Sequence, residues 1–130
     1  MGLVGHSDAD VICHALIDAI CGAAGLGDIG TLYPDTSEEF RDARSLDLLG
    51  HTVERCKAAG YGIENCDVTL IAQAPKLAPY RQEMRANLAR ALGLAPEAIG
   101  LKGTTTDHLG LIGKGEAAAA QAVVLLREAR

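Results

Sequence analysis

Residues 11–24, VICHALIDAICGAA, constrain the fold more than any other stretch, because their only polar side chains are His14 and Asp18. Asp10 joins them at spacing i, i+4 and i+8, so a helix puts all three on one stripe. The rest of that helix is apolar nearly all round, which predicts burial on several sides. A polar stripe on a buried helix needs partners, since an unpaired buried charge is expensive. A carboxylate four residues from a histidine can fix its tautomer and leave the other ring nitrogen for a metal. A satisfied core His–Asp pair accounts for the same spacing, and on spacing alone that reading comes first.

The chain is one domain's length at 130 residues. Its 48% hydrophobic content can supply a core, and 15 glycines with 3% aromatics predict close packing of small residues. A formal net charge of −5 without a basic run argues against a nucleic-acid or membrane-surface partner. Lys76, Lys102 and Lys114 remain able to meet phosphates locally. There is no 18-residue apolar run and no signal-peptide pattern. Cys13, Cys21, Cys56 and Cys66 form no Cys-x-x-Cys pair, and two of them lie inside the apolar helix. Buried reduced thiols and a cytoplasmic location are therefore expected.

Ser7 opens a Ser-Asp-Ala-Asp run like a capping box, so the first helix is predicted over 8–24, stopping at Gly25 or Gly27. Residues 25–42 read as an ordered loop from their Gly, Pro, Asp and Thr density. A second helix is predicted from about Ser45, with Leu46, Leu48, Leu49 and Val53 inward, ending near Gly60. CDVTLIA at 66–72 reads as a strand. Residues 80–92 read as an amphipathic helix with Met84, Leu88, Ala91 and Leu92 inward, followed by a turn at Pro96 and a short strand at 99–102. Residues 104–115 read as a polar loop. The tail is ambiguous: alanines 117–120 favour helix and AVVLL at 122–126 favours a buried strand. The order implies an α/β or α+β domain.

Four loops concentrate polar groups. GDIG at 27–30 sets a carboxylate beside glycines, where backbone can approach a ligand, although a simple helix-stop turn explains it alone. AQAPKL at 72–77 follows a strand directly, and strand ends tend to hold ligands; a solvated turn lysine is the plain alternative for Lys76. KGTTTDHLG at 102–110 offers three hydroxyls, backbone donors and a hard Asp107 oxygen suited to Mg²⁺, against an ordinary turn. GKGE at 113–116 puts a cation between glycines without forming a Walker loop. No Gly-x-Ser-x-Gly or His-Glu-x-x-His motif is present, and no thiol sits in an evident electropositive site.

Together, GHSDADVxxHALxDA at 5–19, GAAGLGDIG at 22–30, PDT at 34–36, DVTLIAQAPKL at 67–77 and TTTDxLGxxGKGE at 104–116 closely resemble the 2-C-methyl-D-erythritol 2,4-cyclodiphosphate synthase family, in the family's order and over essentially the whole chain. The resemblance implies an α+β fold, a mixed β-sheet with helices packed on one side, and a homotrimer with sheets around a three-fold axis. It implies a lyase of non-mevalonate isoprenoid synthesis that cyclises 4-diphosphocytidyl-2-C-methyl-D-erythritol 2-phosphate and releases CMP. The substrate's own 2-phosphate attacks its β-phosphorus, so the protein positions anions and stabilises charge.

By the same resemblance, His14 is a ligand of Zn²⁺ or another divalent transition metal, with Asp18 orienting it, and Asp107 holds Mg²⁺ or Mn²⁺. His6 and Thr105 stabilise the transition state, Thr104 and Thr106 flank it, and Ser7 contacts substrate. Asp28, Ile29 and Gly30 hold the ribose and its surroundings. Tyr33, Pro34, Asp35, Thr36 and Ser37 line the methylerythritol side. Ala72, Gln73, Ala74, Pro75, Lys76, Leu77 and Ala78 form the cytosine pocket, with Lys76 near the phosphates. Lys114 contacts phosphate, and Leu111 stands where the family often has Phe, near the three-fold axis. Residues 116–126 are implied to be a strand despite their alanines.

The family also opens with a strand and hairpin carrying Asp-x-His, the other two zinc ligands, and no Asp-x-His occurs in these 130 residues. One histidine cannot make a catalytic zinc site. The expectation is a single domain truncated at its N-terminus relative to the family, through a miscalled start or a shortened chain rather than a genuine short form, with a sheet edge left exposed. Asp8, Asp10 or a neighbouring subunit are the remaining candidates for the metal shell. The rival to the enzyme is a trimeric cytidine- and diphosphate-binding protein without turnover. A plain metal-dependent phosphoesterase explains His14 and Asp107 but not the cytosine-pocket match.

Overall fold

The structure, a computed structural model, describes residues 2–34, 44–72, 77–105, 109–110 and 118–128, with side chains from residue 8 onward. Helix α1 spans Gly2–Ala24. It begins six residues before the predicted start, so Ser7 lies within the helix rather than capping it. No proline occurs before Pro34, and nothing in the first turns forces the chain out of helical geometry. Gly25, at φ 72°, takes the left-handed position that ends α1, and Leu26 N–H returns to Cys21 O at 2.8 Å.

Ile12, Cys13, Leu16, Ile17, Ile20 and Cys21 are all 1% exposed or less. At about 100° per residue they cover half of the helix circumference. The chain itself buries this half, against β1 (Tyr61–Ala72), β3 (Ala118–Glu128) and α3 (Ser45–Ala58). The predicted polar stripe does not share that burial. Each four-residue step advances about 40° around the helix, so half-buried Asp10 leads to His14 and Asp18 in solvent.

Within the expected loop, residues Ile29–Leu32 form a single helical turn, α2. Helix α3 buries Leu49, Thr52, Val53 and Cys56, while Leu46 and Leu48 are half-buried. A 3₁₀ turn at Ala78–Tyr80 leads into α4 (Arg81–Leu92), which buries Met84, Leu88, Ala89 and Leu92. Another 3₁₀ turn, Pro96–Ala98, precedes β2 (Ile99–Thr104).

The sheet has order β2-β1-β3, with β1 parallel to β2 and antiparallel to β3. β1 starts at Tyr61, five residues before the predicted strand, because the long β3 pairs it as far back as Glu128 opposite Tyr61. Gly62, Glu64 and Asn65 are weak strand formers that hide this extension in sequence. A register shift between Ile63 and Asn65 keeps both Ile63 and Cys66 on the core side. The ambiguous tail is a strand from Ala118; residues 116 and 117 lie outside the described set. Its inward Ala118, Ala120, Ala122, Val124 and Leu126 pack on the core. Small side chains there let α1 lie close to the sheet, so packing overrides alanine's helix preference. No helix among the described residues is long and apolar enough to cross a membrane.

Candidate active site

Two groupings of the predicted site residues emerge. The first lies where α1 meets the GDIG turn. Asp28 has extended backbone and N-caps α2, its Oδ1 accepting the Thr31 N–H at 2.7 Å. That hydrogen bond holds its carboxyl below the ordinary carboxylate range. Asp18 Oδ1 accepts the Ile29 N–H at 2.8 Å. Two free amides of this short helix are thus satisfied by two carboxylates, one from each side. Sequence spacing paired Asp18 with His14; the fold engages it with the GDIG backbone. Asp10 is likewise engaged, accepting from Ser45 Oγ at 2.5 Å.

Tyr33 follows α2 and is 5% exposed, its hydroxyl 2.9 Å from both His51 Nδ1 and Thr52 Oγ1. Neither His51 nor Thr52 carried a signal in the sequence, because their roles depend on α3 lying beside a residue 18 positions earlier. Gly30 and Pro34 are exposed and Ile29 is half-buried. His6 and Ser7 lie in the first turns of α1, and their side chains are outside the described set, as are Asp35, Thr36 and Ser37.

The second grouping lies at one end of the sheet. Parallel pairing sets Ile71 opposite Thr104, and antiparallel pairing sets Ala72 opposite Ala118. The end of β1, the end of β2 and the start of β3 therefore sit side by side. Buried Leu77 packs over Gly103, whose added Cβ would lie 3.5 Å from Leu77 Cβ. Ala72 is buried, while Ala78, Thr104 and Thr105 are exposed. In sheet proteins, ligands tend to bind at strand ends such as these. Residues 73–76, 106–108 and 111–117 are outside the described set, including Gln73, Ala74, Pro75, Lys76, Thr106, Asp107, Leu111 and Lys114.

A transition metal needs three or more ligands from the protein. Among the described residues no group of three His, Cys, Asp or Glu side chains stands close enough to hold one. Asp8 is buried, its Oδ2 has no hydrogen-bond partner, and burial pushes its carboxyl pKa up. It stands about 120° around the helix and about 9 Å along it from His14, so the two cannot share an ion. Asp10 faces Ser45. The described residues therefore do not furnish a zinc shell.

Burial keeps the thiols protonated and out of reach of solvent. All four cysteines are free and buried. Burial, with the Asp10 carboxylate second, pushes Cys13 up to about 12. Burial, then Asp67, pushes Cys66 up to about 11.

The helix-backed mixed sheet and the order of the motifs agree with membership of the YgbB family. A model of that family matches residues 1–127, and the chain belongs to it. Among its relatives, the 2-C-methyl-D-erythritol 2,4-cyclodiphosphate synthase of Laribacter hongkongensis is 54% identical over 126 residues, 97% of this chain and 78% of the relative. The synthase of Geobacillus kaustophilus is 54% identical over 127 residues, 98% of this chain and 80% of the relative. The Plasmodium falciparum IspF–CDP complex superimposes with a TM-score of 0.80 at 32% identity, covering 92% of this chain and 72% of that one.

Proposed function

We propose that this chain is a cyclodiphosphate synthase domain, a lyase that converts 4-diphosphocytidyl-2-C-methyl-D-erythritol 2-phosphate to the 2,4-cyclodiphosphate and CMP. Membership of the YgbB family, with synthases about half identical over nearly the whole chain, carries this reading. An oxygen of the substrate's 2-phosphate forms a bond to the β-phosphorus. The bond from that phosphorus to the bridging oxygen breaks, and its electron pair leaves with CMP. Both reacting groups belong to the substrate, so catalysis consists of holding two anions together and stabilising the charge that develops.

The sheet-end grouping supports a cytidine-diphosphate site. Ala72–Ala78 would hold the base largely through backbone, with Lys76 and Lys114 toward phosphate. Thr104, Thr105 and Thr106 would supply hydroxyl and amide donors, and Thr105 and His6 would face the developing charge. The GDIG turn would hold ribose through Asp28 and Gly30, with Ile29 and Ser7 beside it. Tyr33–Ser37 would face the methylerythritol. Zn²⁺ on His14 and Mg²⁺ or Mn²⁺ on Asp107 complete the reading. Zinc needs ligands beyond the described residues, and no step above depends on it. Bound Mg²⁺ would neutralise phosphate charge.

A homotrimer fits the outer sheet face. Val123 and Leu125 are 72% and 54% exposed on the side of β3 turned away from the helices, a pattern that marks an association surface. Purified protein should release CMP from the substrate with Mg²⁺ present. Binding of CDP without CMP release would overturn turnover and establish the binding-protein alternative.

A further inference from the structure

The charged side chains on the outer face of the sheet neutralise one another. Asp67 stands between buried Cys66 and Val68 on β1, so it points away from the helices, as Lys102 does beside buried Leu101 on β2. Lys102 is registered opposite Thr69, one diagonal step from Asp67, and its Nζ donates to both carboxylate oxygens at 2.6 Å. Gly100, the registered partner of Asp67, makes room for this pair: a Cβ at position 100 would stand 2.5 Å from Asp67 Oδ1. Farther along the same face, Arg127 donates to Glu64 at 3.0 Å. Val123, registered opposite Asp67 on its other side, and Leu125 are the exposed apolar residues of the face. In a chain of formal charge −5, these strands thus present paired charges beside an apolar strip. Like net charge opposes the approach of a second copy, and a face whose charges are already paired adds nothing to that repulsion.

We infer that the Asp67–Lys102 pair, seated over Gly100, is a specificity element for self-association through this face, its occupant being a second copy of this chain. This rests on the homotrimer reading above. In a single subunit the two side chains are 57% and 55% exposed, and a pair so exposed adds little to stability. Under a second copy both lose water, and a charge left there without its partner is costly. The pair therefore admits a surface that brings no unpaired charge against it and rejects one that does.

Sedimentation equilibrium of the intact protein over a range of concentrations tests this. Asp67→Asn and Lys102→Gln each leave one charge unpaired and should weaken association on the order of 10-fold or more. Gly100→Ala, which keeps both charges but displaces the carboxylate, should do the same. The double variant Asp67→Asn/Lys102→Gln leaves no charge and should return to within about threefold of wild type. Lys57→Gln breaks the exposed pair with Glu54 on α3 and should leave association unchanged. All variants should keep the wild-type circular dichroism, which separates lost association from lost folding. Single variants that associate as tightly as wild type overturn the inference, as does a double variant as weak as the singles. A wild-type protein that stays monomeric throughout overturns the homotrimer reading and this inference with it, whereas CMP release is judged independently.

Discussion

Removing the Asp18 carboxylate should destabilise the junction between α1 and the GDIG turn while His14 is left untouched. Asp18 Oδ1 accepts the Ile29 N–H at 2.8 Å, and Asp28 takes the Thr31 N–H of the same single-turn helix. A hydrogen bond from a backbone amide to a charged group contributes about 1.5–3 kcal/mol when sheltered. This one is exposed, so water replaces the lost acceptor and screening lowers the value to about 1 kcal/mol. For a domain of this size that corresponds to a fall in Tm of about 4 °C. Asp18→Ala should show the whole loss in thermal and urea melts. Asp18→Asn keeps an oxygen in place and should lose less than half of it. His14→Ala, at an exposed position, should leave Tm within about 1 °C. An unchanged Tm in Asp18→Ala would refute the reasoning, as would an Asn variant as unstable as the Ala variant; either result would return Asp18 to a role at His14.

Leu16→Ala empties a fully buried position on α1 and should cost about 2–5 kcal/mol, read as a lower urea midpoint; a shift under 1 kcal/mol would mean that the site collapses without penalty. The thiols should resist an aromatic disulfide reagent at pH 8 in native protein and all react in denaturant, since burial holds Cys13 near 12 and Cys66 near 11. The unfolded chain ionises its thiols near pH 9 while the folded one keeps them protonated, so their stabilisation is complete below pH 9 and falls as pH rises toward 12. Rapid native labelling, or a urea midpoint that rises between pH 9 and 11, would contradict that burial.

Much of the architecture was legible because it rests on local chemistry. The apolar run at 11–24, the glycine stop at 25, the helix from Ser45 and the strand through DVTLIA each announce themselves within a few residues. The motif spacing also carried family membership. Where local signals conflicted, only packing could decide. Alanines 118–120 form a strand because β1 offers a ladder and α1 needs small neighbours. Glu64 and Asn65 sit in a strand because β3 is long enough to pair beyond them.

The site divides in the same way. The types of its residues were readable in the sequence, but their partners were not. Asp18 and His14 are four residues apart and share a helical stripe, yet the carboxylate bonds an amide 11 residues away, because α2 folds back onto α1. The family resemblance implies a substrate-side role for Tyr33; its contacts with His51 and Thr52 exist only once α3 lies beside it. Sequence determines which groups are available and which helices and strands they favour, since those preferences are set by neighbours along the chain. Tertiary structure decides which donor meets which acceptor, because a hydrogen bond depends on a distance of a few ångströms that separation along the sequence does not measure.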